Sequence, residues 1–172
     1  KVIIASNEIQ YSLRSINESP ASSGAAFHQT INSHISKFIE AFPFVSSIYI
    51  FDSGGRRYGA DKNHLMSLKV GSIKEAGWYQ AAVDKRGGFI LRLNAGGIYE
   101  NLSGGKYISL IRIINDIYTQ KPIGILIMNI TENSFAESYR DILEEYGTDI
   151  MILDENGQTV IDFRSGAFEG IG

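Results

Sequence analysis

The chain has no cysteine in its 172 residues, which excludes thiol nucleophiles, disulfide bridges and thiolate metal sites together. It has no basic run: 16 Lys and Arg stand against 19 Asp and Glu, a net charge of −3. A nucleic-acid footprint is therefore not expected. No stretch reaches the roughly 18 consecutive apolar residues that cross a bilayer. The three histidines, His28, His34 and His64, lack metal-ligand spacing; His28 and His34 are too far round a helix to share a face. No Gly-x-Ser-x-Gly elbow occurs. "NLSGGKY" fails as a phosphate loop because Tyr107 follows Lys106 and the upstream glycine is missing. Neither catalytic machinery, metal nor cofactor is expected.

What is present suits a folded domain: 44% hydrophobic and 20% charged residues, enough to build a core unaided. The sequence lacks a starting Met and opens at Lys1 inside a helical pattern. We therefore expect a piece of a longer protein whose flanking segments reach a membrane.

Ile9, Leu13 and Ile16 form a helical stripe, "SPASSG" interrupts it, and Phe27, Ile31, Ile35, Phe38 and Phe42 resume it until Pro43. At Val45 the period becomes two. "VSSIYIFDSGGRRYGA" reads as a hairpin turning at Asp52-Ser53-Gly54-Gly55. Residues 72–86 predict a helix, with Ser72 and Glu75 spaced as a capping box. "FILRLNA", "KYISLIRIIND" and "KPIGILIMNIT" predict three more strands, the last apolar on both sides as a central strand is. Thr131 caps a further helix ending at Gly147. "DIMILDENGQTVIDF" then repeats the first hairpin in miniature, an Asp after an apolar strand and a Gly-bearing turn after that.

These features resemble the Cache type of PAS-like extracytoplasmic sensor domain. The likeness rests on the long helix ending at "FPFVSSIYIFDSGG", on "WY" at 78 and 79, on "PIGILIMNIT" running into a helix, and on "IMILDENGQTVI" opening a second module. Among the subfamilies it looks most like the YesM-type sensor histidine kinases of Gram-positive bacteria. The resemblance implies an α+β fold: a five-stranded antiparallel PAS-like sheet, a long N-terminal helix, and the start of a smaller second module. It divides the chain into a helical stalk and packing helix (1–44), a membrane-distal sensor module (45–131), and a linking helix with the first hairpin of a membrane-proximal module (132–172).

It also implies a small-molecule ligand, anchoring through flanking membrane segments, and a homodimer through the N-terminal helix. A chemoreceptor sensor, or a ligand-free dimerisation or interaction module, would share the same fold. Trp78 and Tyr79 read either as core pinning a helix to the sheet or as a pocket wall, and the resemblance favours the wall. Arg92, Asn94, Tyr107 and Arg112 are polar positions on strands that must find a partner or face the pocket. Tyr58 is expected under the pocket roof. Asp116 reads as a turn former by residue type, and by resemblance as an acid offered to the ligand. One departure from the amino-acid-binding double-Cache pattern matters: Ala76 stands where an Arg would clamp a carboxylate. An aromatic wall with mixed polar groups would suit a carbohydrate.

Overall fold

The computed structural model describes residues 5–19, 25–62, 66–101, 105–154 and 156–163. Helix α1 (Asn7–Glu18) starts at Ser6, whose hydroxyl accepts the Ile9 amide, one of the orphan N–H groups of a first turn. Helix α2 (Ala25–Ala41) buries Ile31, Ile35 and Ile39. The stripe expected to run on to Phe42 is displaced. Ile39, four residues after Ile35, takes the buried position, while Phe42 lies past the helix end, 39% exposed, its ring tilted against Phe38 and edge-on to Phe44.

Both helices cover one face of a five-stranded sheet in the order β2-β1-β7-β6-β4. Its members are β1 (Val45–Asp52), β2 (Arg57–Asp61), β4 (Phe89–Leu93), β6 (Tyr107–Asn115) and β7 (Pro122–Thr131), every neighbouring pair antiparallel. The doubly apolar β7 is the middle strand, as its composition requires. Alternation sends Ile48, Ile50, Leu126 and Ile114 to Ile9, Leu13, Ile16, Ile31 and Ile35 of the helices. Phe51, Ile111, Ile113, Ile125 and Ile127 go to the opposite face. There the chain on either side of β4 forms a cover through Ile73, Ala76, Trp78, Ala82, Ile98 and Tyr99, with α3 (Tyr79–Asp84) before β4 and a small antiparallel pair of β3 (Met66–Leu68) and β5 (Tyr99–Asn101).

The helix expected over 72–86 is shorter. Ser72 caps a single 3-10 turn at Ile73–Glu75, and the backbone of Ala76 is extended (ψ 130) before α3 begins after Trp78. An extended residue followed by Gly77 breaks the α-helical hydrogen-bond ladder at that point.

Helix α4 (Glu132–Tyr146), capped by Thr131 through the Ser134 amide, leads to the hairpin of β8 (Ile150–Leu153) and β9 (Thr159–Phe163). The two hairpin turns match atom for atom. The Asp52 amide donates to Arg56 O and the Gly55 amide to Asp52 O, with Gly55 at φ 83; Asp154, Gln158 and Gly157 repeat both bonds, with Gly157 at φ 78. Each Asp carboxylate also accepts a turn amide. A third apolar cluster joins Ala136, Leu143, Ile161 and Phe163 to Ile108, Leu91 and Leu93 of the sheet.

Candidate functional site

The cover is held to the sheet at a bend. Asn94, Ala95, Gly96 and Gly97 all have positive φ, at 50, 49, 66 and 80. For Asn94 and Ala95 this left-handed backbone costs about 1–3 kcal/mol each and persists only where the surroundings over-determine it. Three hydrogen bonds do so: the Tyr107 amide donates to Asn94 Oδ1, the Ala95 amide to Ser109 Oγ, and the Trp78 indole Nε1 to Ala95 O at 2.7 Å. A Cβ at Gly96 would lie 2.6 Å from Trp78 Cδ1, so the indole rests directly on the backbone there. Trp78 is 4% exposed.

From this bend a polar seam crosses the sheet. Ser109 donates to Asn129 Oδ1 at 2.6 Å, and Asn129 Nδ2 donates to Ser47 Oγ at 2.9 Å. Two residues along β1 from Ser47, the Tyr49 phenol donates to Asp61 on the edge strand at 2.8 Å. Ser47, Ser109 and Asn129 are fully buried. Burial, then the Asp61 carboxylate, pushes the Tyr49 phenol well above its ordinary range. The Tyr99 ring lies 5.4 Å from that of Tyr49. Burial raises its phenol as well, and its hydroxyl has no hydrogen-bond partner among the described residues. The seam's groups are hydroxyls and an amide that satisfy one another in sequence; the Tyr99 hydroxyl is the orphan beside them.

Of the eight residues singled out from sequence, the structure gathers Trp78, Asn94 and Tyr107 at the bend. Tyr79 follows Trp78 but borders a separate cavity of about 180 Å3 with Asp52, Lys74 and Pro122. Arg92 turns along the sheet edge, donating to Leu91 O and lying 3.8 Å from Asp154 of the second hairpin. The other three lie elsewhere. Tyr58 pairs with Ile50, so alternation sends it to the helix face, where it meets the His28 ring at 4.8 Å and donates to Asp52. Arg112 shares its side of β6 with Leu110 and Ile114, again the helix face. Asp116 is buried in the β6–β7 turn, accepting from Arg14 of α1 and from the Tyr118 and Thr119 amides.

Sequence reasoning missed Ser47, Tyr49, Asp61, Tyr99 and Asn129. A signal existed in Asn129, an amide inside a strand otherwise apolar on both sides, since such a group is not left unpaired. Among the described residues, no group of three or more His, Asp or Glu side chains is placed to hold a metal ion. None of their helices is long and apolar enough to cross a membrane.

No protein-family model and no curated protein matches the chain. Solved structures do. The ligand-binding domain of the Pseudomonas fluorescens chemoreceptor CtaA, in complex with L-serine, aligns with a TM-score of 0.55 at 12% identity, over 89% of this chain and 60% of that one. The sensory domain of the Campylobacter jejuni chemoreceptor Tlp3, with isoleucine bound, gives 0.53 at 14%, over 89% and 61%. The sensor domain of the V. cholerae histidine kinase DctB gives 0.53 at 13%, over 80% and 48%. The likeness is one of fold: the chain is α+β with the five-stranded antiparallel sheet of Cache, PAS-like sensor domains. It spans between 48% and 61% of the length of these neighbours.

Proposed function

We propose that the chain is the ligand-binding part of an extracytoplasmic sensor domain in a membrane receptor, acting as a receptor module rather than an enzyme. It takes a small polar molecule on the Trp78 face, between the seam and the cover. The single observation that carries this reading is the buried, unpartnered Tyr99 hydroxyl beside a row of hydrogen-bonding groups, on a fold shared with domains solved with amino acids bound. An orphaned buried hydroxyl costs about 1–3 kcal/mol, which a guest acceptor or donor recovers. Ala76 is itself buried in this face. With no carboxylate-clamping Arg at that position, the ligand we favour is a neutral polar molecule such as a sugar.

On this reading α4 and the β8–β9 hairpin open a second, membrane-proximal module, and the output is a two-component histidine kinase of the YesM type. Signal leaves through α1 and α2, which pack on the opposite face of the same strands. A guest shifts those helices only by favouring one of two arrangements. A homodimer would use surfaces outside the stripes of α1 and α2, because those stripes are spent on the sheet.

A second reading, a closed interaction module of the same fold, has the Trp78–Ala95 bond and the Arg92–Asp154 contact in its favour. The two separate in one experiment. A panel of sugars, amino acids and organic acids is screened by thermal shift on the chain and on Tyr99→Phe, which keeps the ring and removes the hydroxyl. The sensor reading expects a compound that raises the Tm of the parent and loses roughly tenfold in affinity on the variant. No stabilising compound, or equal stabilisation of both proteins, favours the closed module.

A further inference from the structure

On the helix side of the sheet, at the end away from the seam, a cavity of about 360 Å3 opens between the start of α1, the bend after α3 and the β6–β7 turn. Two arginines, Arg86 and Arg112, are among the residues lining it, and among the described residues no Asp or Glu is. The Nε of Arg112 is buried and has no hydrogen-bond partner there. The adjoining carboxylate, Asp116, is already committed to Arg14 and to two turn amides, so it does not answer this charge.

Like charges on one cavity wall repel, and a buried guanidinium N–H without an acceptor is costly. Both penalties vanish when an anion lies between them. The backbone holds this arrangement under strain. Arg86 has φ 49, left-handed for a residue with a Cβ, and Gly87 follows at φ 91. A Cβ at Gly87 would come within 3.3 Å of Asn115 Nδ2, so the bend packs closely on the opposite wall. That wall is tied to the first helix: Gln10 of α1 donates to Asn115 O and accepts from the Ile117 amide.

We propose that this cavity binds a small oxyanion, the carboxylate or phosphate of a compact metabolite, held by Arg86 and Arg112 against the start of α1. The site goes beyond the sensing site on the Trp78 face and lies across the sheet from it. Its occupant would touch the helix that Gln10 already couples to the β6–β7 turn.

The test uses inorganic phosphate and acetate as separate probes, with sodium chloride at matched ionic strength, followed by 15N NMR of the arginine Nε–H and backbone amide signals. The expected result is a saturable shift of Arg112 Nε–H and of the Arg86 and Gly87 amides with one or both oxyanions. Whichever saturates identifies the headgroup. Arg86→Gln and Arg112→Gln each weaken binding by roughly tenfold or more, the effect of losing a charge-assisted contact. Arg57→Gln, on the far edge strand, and Tyr99→Phe leave it unchanged. Linear shifts equal to those with chloride, or affinity undiminished in Arg86→Gln, overturn the proposal. Arg86 is exposed, so that variant decides even where Arg112→Gln does not fold.

Discussion

Towards the helices the sheet presents Ile48, Ile50, Ile114 and Leu126 and receives Ile9, Leu13, Ile16, Ile31 and Ile35. Towards the cover it presents Phe51, Ile111, Ile125 and Ile127, but also Ser47, Ser109 and Asn129. The first face is sealed mainly by shape and apolar area, at roughly 1.5–3 kcal/mol for each large aliphatic side chain buried, with polar contacts such as Tyr58–Asp52 and Gln10–Asn115 towards the strand ends. The second is sealed partly by directional bonds, which hold only while every donor keeps its acceptor. An apolar seal tolerates a small sliding of its parts; a hydrogen-bonded seam has one register. On the function proposed above, the helix face serves as support and the Trp78 face as the place of recognition.

Three substitutions bear on that contrast. The largest effect is expected on the helix face: Ile35→Ala deletes a fully buried side chain and should destabilise by about 2–5 kcal/mol in denaturant titration. The Trp78 fluorescence maximum of the folded state should stay where it was. A moved maximum would mean that the two faces are not mechanically separate. Next is Asn129→Leu, similar in volume but unable to bond Ser47 or Ser109. Stranding two buried hydroxyls should cost about 1–3 kcal/mol, with faster hydrogen exchange at the Ala95 amide, which donates to Ser109. Unchanged exchange there would show that the seam does not hold the bend.

The smallest effect belongs to a turn outside both faces. The Thr119 amide first, with Arg14 and the Tyr118 amide, holds the Asp116 carboxyl down at about 2 against the opposing effect of burial. Its folded value lies below its ordinary 3.8, so its contribution is present above about pH 4 and fades as pH falls from there towards 2. Asp116→Asn should flatten that limb of the acid stability curve and lower stability at neutral pH. An unchanged slope between pH 4 and 2 would remove Asp116 from the account.

Much of the scaffold was legible because its signals are local. The 3.6-residue stripe of α2, the two-residue alternation of β1, the Asp-Gly turns and the apolar β7 each announce an element within a dozen residues. The central position of β7 followed from having no polar side. The β3–β5 pair was not legible: three-residue strands more than 30 positions apart carry no periodicity, and only the fold brings Leu68 opposite Tyr99. The shortened α3 was missed because the Ser72 and Glu75 spacing is real but caps a single 3-10 turn.

At the candidate site, residue type found Trp78 and Asn94 but not what they touch. Arg112 drew notice as a charge among isoleucines, yet which face a charge takes depends on register, which the sequence leaves open; Asp116 read by residue type as a turn former, and the turn is where it sits. The seam escaped because serines in strands are commonplace. Only the pairing of Ser47 and Ser109 with Asn129 across β7 turns three ordinary residues into one hydrogen-bonded line.

The measurement that tests the central claim most directly is the 15N–1H signal of the single indole, Trp78 Nε1–H, with the backbone amides, recorded against the same panel of sugars, amino acids and organic acids. The account predicts that a binding compound moves the indole signal and the amides of Ser109, Asn129 and Tyr99 together. Those of Ile31 and Ile35 should stay still. A panel that leaves the indole unmoved, or a binder whose shifts gather on α1 and α2 alone, would contradict it.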